Sequence, residues 1–447
     1  MDRRRFADAA CGETEGDDDT GPEMPTRRNP FEDGLNRRRF VRSSAAVGST
    51  TALAGCFGAE EGSGGDGEPT VYVFNNGDRT ITVIDAERDE AVATHHIDTT
   101  ASFPANQYGT SAESGYDVLW LNVTGGVRAL EARSLEDVAA VGTGAGPNYP
   151  NLTPDEQHLI VAAGGSTSID PEPDPDEPET HGVFRIDADR ESETFGEVTG
   201  RIETGYTGPC DVSLEPSGEY AYVPEIADET LRVVRTEPFE TVAEIDVGDP
   251  VGDGQVLPFM CTASFAGDVL LVENGEGTLG SDPEVPREGS ESIWDVSTPD
   301  EPKEVARITR ADGLPAMPIT SEIAPDGEAG YLFTPDAGSV TVIDLEERAV
   351  DRELDVGGEA ISGAWGPFRE KLYVPVQTAN QVAVVDHERR EVVATIEAGE
   401  APTGAVGGTV RPEVTPQSRL RASLAALGLE FGRREATYCP ESNCYCG

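Results

Sequence analysis

Apolar and polar positions alternate along most of the chain, in short runs bounded by turn residues. Tyr72-Val73-Phe74-Asn75 is followed by a polar turn and then by Ile81-Thr82-Val83-Ile84-Asp85. The phrase returns as Tyr331-Leu332-Phe333-Thr334 with Val340-Thr341-Val342-Ile343-Asp344, and as Tyr373-Val374-Pro375-Val376 with Val382-Ala383-Val384-Val385-Asp386. Each copy predicts two strands joined by a polar turn, the second ending on an acidic residue. Helical periodicity is absent between residues 71 and 410.

The terminal acidic residue recurs at Asp85, Glu131, Asp187, Asp295, Asp344 and Asp386, with Arg235 in the same slot. The last two are 42 residues apart (386 − 344), and the spacing widens where loops intervene. The repeat is clearest late in the chain. Ile323–Gly327 reads as a strand end and turn, Tyr331–Thr334 and Val340–Asp344 as strands, and Ala349–Val356 as a fourth strand. Four short antiparallel strands per repeat predict a propeller blade. Counting gives seven: 113–141, 148–204, 209–247, 259–308, 319–356, 361–399, and one split blade. Its inner strand comes from 401–410 and its other three from 70–97, so no sheet edge stays open. The expected fold is all-β, a seven-bladed β-propeller of four-stranded antiparallel blades over 71–410, followed by a short helix and a cysteine tail.

The phrases at Tyr72–Asn75, Tyr222-Val223-Pro224-Glu225 and Tyr373–Val376, with the Val-x-Val-Ile-Asp strands, resemble the YVTN family of β-propeller repeats. The resemblance covers about 71–410 and implies the fold. Such repeats occur in archaeal surface proteins and secreted bacterial propellers, and a fold alone does not choose an activity.

Residues 1–56 read as a leader. Arg37-Arg38-Arg39-Phe40-Val41-Arg42 resembles a twin-arginine export motif, carried by Arg37, Arg38 and Phe40. An apolar stretch from Ala45 to Ala54 follows, and Leu53-Ala54-Gly55-Cys56 resembles a lipobox. Basic segment, short apolar segment and small residues, in that order, make a cleaved signal too short to span a bilayer. Met24 is an alternative start. The resemblance implies a lipid on Cys56, a flexible tether over 57–70 and a place on the extracellular face of the cytoplasmic membrane. In the segment 411–447, Leu420, Leu424, Leu427 and Phe431 predict an amphipathic helix over Ser418–Arg434 that packs against the propeller. Three inserts, Thr99–Gly115, Ser166–Thr180 and Gly275–Ser292, read as loops. The acidic, proline-rich second insert has oxygen ligands for calcium but lacks the glycine-punctuated loop of a usual site.

Charge narrows the partners. The chain carries 84 Asp and Glu against 33 Lys and Arg, a formal net charge of −51. Only Lys303 and Lys371 are lysines. Such a surface resembles that of an extreme halophile and bears on solubility. It offers no basic patch for a phosphate backbone, which excludes nucleic acid as a partner.

Candidate chemistry rests on sulfur. Cys11 lies in the leader, leaving Cys210, Cys261, Cys439, Cys444 and Cys446 beside the lipid site. Three thiolates in the tail, Cys439, Cys444 and Cys446, suit a soft metal, copper or zinc; the alternative is a disulfide with one spare thiol. A second sulfur set is Cys210, Met260, Cys261 and Met317, which three consecutive blades place at one mouth of the channel. These residues suit copper, ordinary core packing, or a Cys210–Cys261 disulfide. The five histidines, His95, His96, His158, His181 and His387, show no ligand spacing and read as surface residues. Cys-x-x-Cys-His, Gly-x-Ser-x-Gly, Walker and His-Glu-x-x-His patterns are absent.

The expected function is binding. The chain reads as a monomeric, lipid-anchored propeller presenting its loops to an envelope protein or a small-molecule ligand. Two alternatives stand beside it. One is a metal-binding or redox accessory protein using the cysteines. The other is a propeller enzyme resembling lactonases or quinone-linked dehydrogenases, for which sequence spacing assembles no catalytic cluster.

Overall fold

The computed structural model describes residues 66–425 except Asp98, 106–109, Glu113, 124–125, 144–145, 165–180, 205–208, Ala227, 252–253, 278–287 and Val414. These residues form seven antiparallel sheets in a propeller arrangement. Numbered along the chain, blade one holds 66–96 and 402–410, and blades two to seven follow at 99–142, 146–203, 209–246, 255–308, 319–355 and 361–397.

Register explains the sequence phrase. In every blade the second and third strands pair over four or more residues and are buried on both faces, which demands near-continuous apolar runs. The outermost strands, such as Glu90–His96 and Ala349–Asp355, alternate or are largely exposed. All seven third strands end on the predicted residue: Asp85, Glu131, Asp187, Arg235, Asp295, Asp344 and Asp386. The acid there is a turn-former. Asp85 Oδ1 accepts the N–H of Glu87 at 3.0 Å and of Arg88 at 3.1 Å. Asp344 Oδ1 does the same for Glu346 and Glu347, at 3.0 and 2.8 Å. A short carboxylate side chain folds back on its own backbone in this way, fixing the hairpin.

The ring closes as predicted, by Pro402–Val410 pairing with Asp66–Asn75. Tyr72 faces Val406 and Val73 faces Ala405, and the N–H groups of Asn76 and Gly77 reach Ala401 O and Glu400 O, each at 2.9 Å. The first strand begins at Asp66, inside the segment read as tether.

Three boundaries differ from expectation. Described residues of the insert Thr99–Gly115 supply the innermost contacts of blade two. Ala105 N–H bonds Trp120 O at 2.9 Å, and Ser111 bridges Tyr116. Of the insert Gly275–Ser292, the described residues 275–277 and 288–292 belong to strands Val269–Gly277 and Glu288–Asp295, which run into it from both sides. The helix spans Pro416–Ala425 within the described residues and lies against strand Glu90–His96, with Leu420 58% exposed rather than packed.

Candidate functional site: the axial pocket

Inner strands of neighbouring blades are not hydrogen-bonded as one sheet, so their polar groups need other partners. Short polar side chains supply them. Asn122 Nδ2 donates to Pro147 O at 3.2 Å, and Asn151 Nδ2 to Val212 O at 2.8 Å. Asp211 Oδ2 accepts the N–H of Cys261 at 2.9 Å, and Ser213 Oγ that of Ala263 at 3.0 Å. Thr262 donates to Ser321 O at 2.8 Å, Thr320 to Ile361 O at 2.7 Å, and Ser362 to Thr403 O at 2.7 Å. Thr100 closes the circuit by donating to Asn76 Oδ1 at 2.5 Å. A hydrogen-bonded girdle therefore runs round the axis and fixes the blades against one another.

The two sides of this girdle differ. Where the inner strands begin, Phe103, Tyr149, Cys210, Leu257, Phe259, Met260, Met317, Ile319 and Ile361 form one buried cluster. Residues of six blades can meet only at the axis, so this cluster is an apolar plug. Phe103 and Tyr149 stack within it, ring centroids 4.6 Å apart. Where the inner strands end, a cavity of about 190 Å³ is lined from all seven blades. Its walls include Tyr149, Ser213, Cys261, Glu322, Trp365 and Arg369. The Arg369 guanidinium lies over the Phe265 ring, 4.3 Å from its centroid, at the rim.

Electrostatics at the pocket floor are set by burial. Burial pushes the Glu322 carboxyl up to about 8, the Glu273 charge raises it further, and the Trp365 indole N–H facing it lowers it. Glu322 is therefore a neutral acid at neutral pH and can donate a hydrogen bond into the pocket. Burial likewise holds Asp211 well above the usual carboxylate range, with the Cys261 and Val212 N–H groups opposing. It raises the Tyr149 hydroxyl too, and ionised Glu322 and Asp211 carboxyls would raise it further. The floor is thus uncharged and rich in donors, while Arg369 carries a positive charge at the rim.

The sulfur residues separate in this frame. Cys210, Met260 and Met317 come together in the plug, whereas Cys261 points into the seam between blades four and five beside Tyr222 and also borders the pocket. Alternation along a strand puts Met260 and Cys261 on opposite faces. Cys261 is a free buried thiol and Cys210 is disulfide-bonded, so the two do not pair with each other. Among the described residues no three His, Cys, Asp or Glu side chains converge as a metal centre. Arg37, Arg38, Phe40, Cys56, Cys439, Cys444 and Cys446 and the acidic loop 165–180 lie outside the described residues. Two histidines are not the surface residues expected. His95 is 6% exposed, and burial lowers its pKa. His387 Nδ1 bonds the Tyr331 hydroxyl at 2.7 Å and its Nε2 the Asp326 carboxylate at 2.8 Å.

The pocket residues Tyr149, Glu322 and Trp365 and the girdle residue Asp211 escape a motif search because each sits in a girdle or wall slot without fixed spacing. Their signal is positional. Proline recurs near the start of the inner segments, at Pro104, Pro147, Pro209, Pro258, Pro318 and Pro402, and Tyr149, Asp211 and Glu322 follow three of them within four residues. Aligning those prolines would have aligned the inner strands.

No family model matches this chain, and no curated protein matches it. Solved structures do. A periplasmic gluconolactonase from Pseudomonas aeruginosa superposes with a TM-score of 0.55 at 15% identity, over 76% of this chain and 99% of that one. Hydrazine synthase from Kuenenia stuttgartiensis gives 0.54 at 15% identity, over 74% and 99%. A functionally unknown protein from Desulfotomaculum acetoxidans gives 0.54 at 15%, over 77% and 99%. The likeness is to seven-bladed propellers. At such identity it establishes the fold.

Proposed function

We propose that the chain is an exported, lipid-anchored propeller that binds a small, oxygen-rich ligand in its axial pocket. The observation that carries this reading is the asymmetry of the axis: an apolar plug closes one end, and a polar pocket lined from all seven blades opens at the other. A plugged axis makes a receptacle, not a conduit. A floor of neutral donors with the flat Trp365 wall suits hydroxyl and carbonyl oxygens. The twin-arginine and lipobox resemblances support export and anchoring through Cys56, and a tether ending at Asp66 would hold the pocket outside the membrane.

Calorimetric titration with polyols, sugar acids and sugar lactones tests the binding. The expected result is saturable 1:1 binding that is weakened in Glu322→Ala and Trp365→Ala; wild-type affinity in both variants would refute the axial pocket. Cys56→Ser should release the protein from cells into the medium, and retention on cells would refute the anchor.

A second reading is a lactone hydrolase. The gluconolactonase likeness and a protonated Glu322, able to act as a general acid, favour it. Lactone opening above the spontaneous rate, lost in Glu322→Gln, would establish it. Binding without turnover would leave the first reading.

A further inference from the structure

One pair of facing positions sets blade five apart from the other six. At one register position the second strand faces the third as Cα partners. The pairs are Phe74–Ile81, Asn122–Val127, Ala162–Val183, Pro224–Leu231, Phe333–Val340 and Pro375–Val382. In blade five the pair is Glu273–Glu291. The equivalence rests on backbone: four residues earlier, His158, Tyr220, Val269, Ala329 and Lys371 all accept the hydrogen bond that closes the preceding turn. Every third-strand partner is aliphatic except Glu291. Asn122, the other polar second-strand member, is satisfied, since its Oδ1 accepts the Phe103 N–H at 2.9 Å and its Nδ2 donates to Pro147.

Glu273 and Glu291 are not satisfied. Both are fully buried, and none of their four carboxyl oxygens has a hydrogen-bond partner. The Ser321 hydroxyl of blade six faces Glu273, is itself buried, and also lacks a partner. Leu271, Ile293 and Ile323 pack together in the seam between blades five and six. Glu273, Glu291 and Ser321 lie two residues further along the same three strands, hence on the same faces. Burying unpaired carboxyls opposes folding, and the other six blades fill these positions without a carboxylate.

We propose that Glu273, Glu291 and Ser321 form a binding site for one hard divalent cation in the seam between blades five and six. Two carboxylates balance a double positive charge. An all-oxygen set suits calcium, which takes six to eight oxygens, so water completes the shell. The thioethers of Met260 and Met317 nearby are too soft to compete for such an ion. Met317 also lines an outer cavity of about 290 Å³ together with Glu276, Glu288 and Gly289. A Cβ on Gly289 would meet Met317 at 2.2 and 2.8 Å, so this glycine makes room for the methionine beside the third strand. Burial pushes Glu273 up to about 8 and Glu291 well above its usual range, and the Glu273 charge raises Glu291 further.

The test uses the full chain, stripped with chelator and titrated with calcium chloride at constant ionic strength. Bound calcium is measured by elemental analysis, and the unfolding midpoint in parallel. One calcium per chain is expected in this site, with a raised midpoint. Glu291→Gln should weaken this binding by about tenfold or more. Glu291→Val, which gives blade five the aliphatic residue of the other six, should fold and lose the response. A folded wild-type chain that binds no calcium at millimolar concentration overturns the proposal. So does calcium bound equally by wild type and both variants, which would place the ion elsewhere, for instance in the acidic loop.

Discussion

The Tyr72 hydroxyl donates to the Val410 carbonyl, joining positions 338 residues apart. The same hydroxyl meets Thr110 Oγ1 at 2.9 Å, so one side chain ties together the first strand, the last strand and blade two. Asp85 adds a further tie through Arg411, 3.4 Å away. Deleting 401–410 should open the ring at blade one before any other. Hydrogen exchange should show residues 70–97 losing protection while blades four to six retain it; uniform protection in the truncation would refute the clasp. Tyr72→Phe removes only the hydroxyl and should lower stability by about 1 kcal/mol in urea unfolding.

Arg232 lies between Glu225 and Glu244 in blade four, bonding Glu225 through Nε and one terminal nitrogen at 2.9 and 2.8 Å. Arg232 and Glu225 are mostly buried, and desolvation holds Glu225 above its ordinary pKa despite the arginine. Removing the arginine leaves that carboxylate buried and unpaired. Arg232→Ala should therefore destabilise the fold by roughly 3 kcal/mol, and Arg232→Ala with Glu225→Leu should recover much of the loss. A chemical-denaturation series on the two variants measures both.

Buried carboxyls give stability a pH slope of known sign. Glu322 and Glu273 titrate near 8 when folded and in the ordinary carboxylate range when unfolded. Between those values the folded state holds more protons than the unfolded state. In the absence of bound cation, stability must then fall as pH rises from about 5 to 8, by up to about 1.4 kcal/mol per pH unit per group. Below the unfolded pKa values the contribution is fully present. Unfolding midpoints across that range should show the decline in chelator, and Glu322→Gln should make it shallower. A flat profile in both proteins would contradict the placement of these acids.

The strand phrase made most of the propeller legible because paired middle strands buried on both faces impose one repeated pattern. It failed where the chain departs from that pattern. Thr99–Gly115 reads as a loop because it is small and neutral, yet its residues Ala105 and Ser111 bond Trp120 and Tyr116 as the innermost part of blade two. Glu273 and Glu291 were invisible for a different reason. In a chain with 84 acidic residues, a glutamate carries no signal by type, and Glu291 fell within an apparent Gly/Glu/Ser loop. Only register shows that both occupy slots in which no other blade carries an acid. The axial pocket is hidden similarly, since its walls come from seven blades and no local motif spans them.

A chain this acidic should also depend on salt. Carboxylates repel across the surface, and screening within a Debye length of about 10 Å at 0.1 M, shrinking to about 3 Å at 1 M, relieves that repulsion. The unfolding midpoint should rise steeply with potassium chloride from 0.1 M to above 1 M. An unchanged midpoint would mean that the net charge of −51 is not an adaptation to high salt.

Cys261 offers a reporter for the packing of blade five on blade four. Its thiol is 4% exposed, its N–H is held by Asp211, and its Sγ lies 3.5 Å from Tyr222 O. Burial first, and then the Asp211 and Glu273 charges, push the thiol well above its ordinary pKa. The thiolate is the reacting species, so both accessibility and ionisation protect this residue. Iodoacetamide should leave Cys261 unmodified in the native protein and modify it in denaturant, read by mass spectrometry of its peptide. In Asp211→Ala the Cys261 N–H loses its acceptor and the seam loosens, so labelling should accelerate under native conditions. Fast labelling of the native wild-type peptide would show that this seam opens without global unfolding, and that the girdle does not hold the blades together.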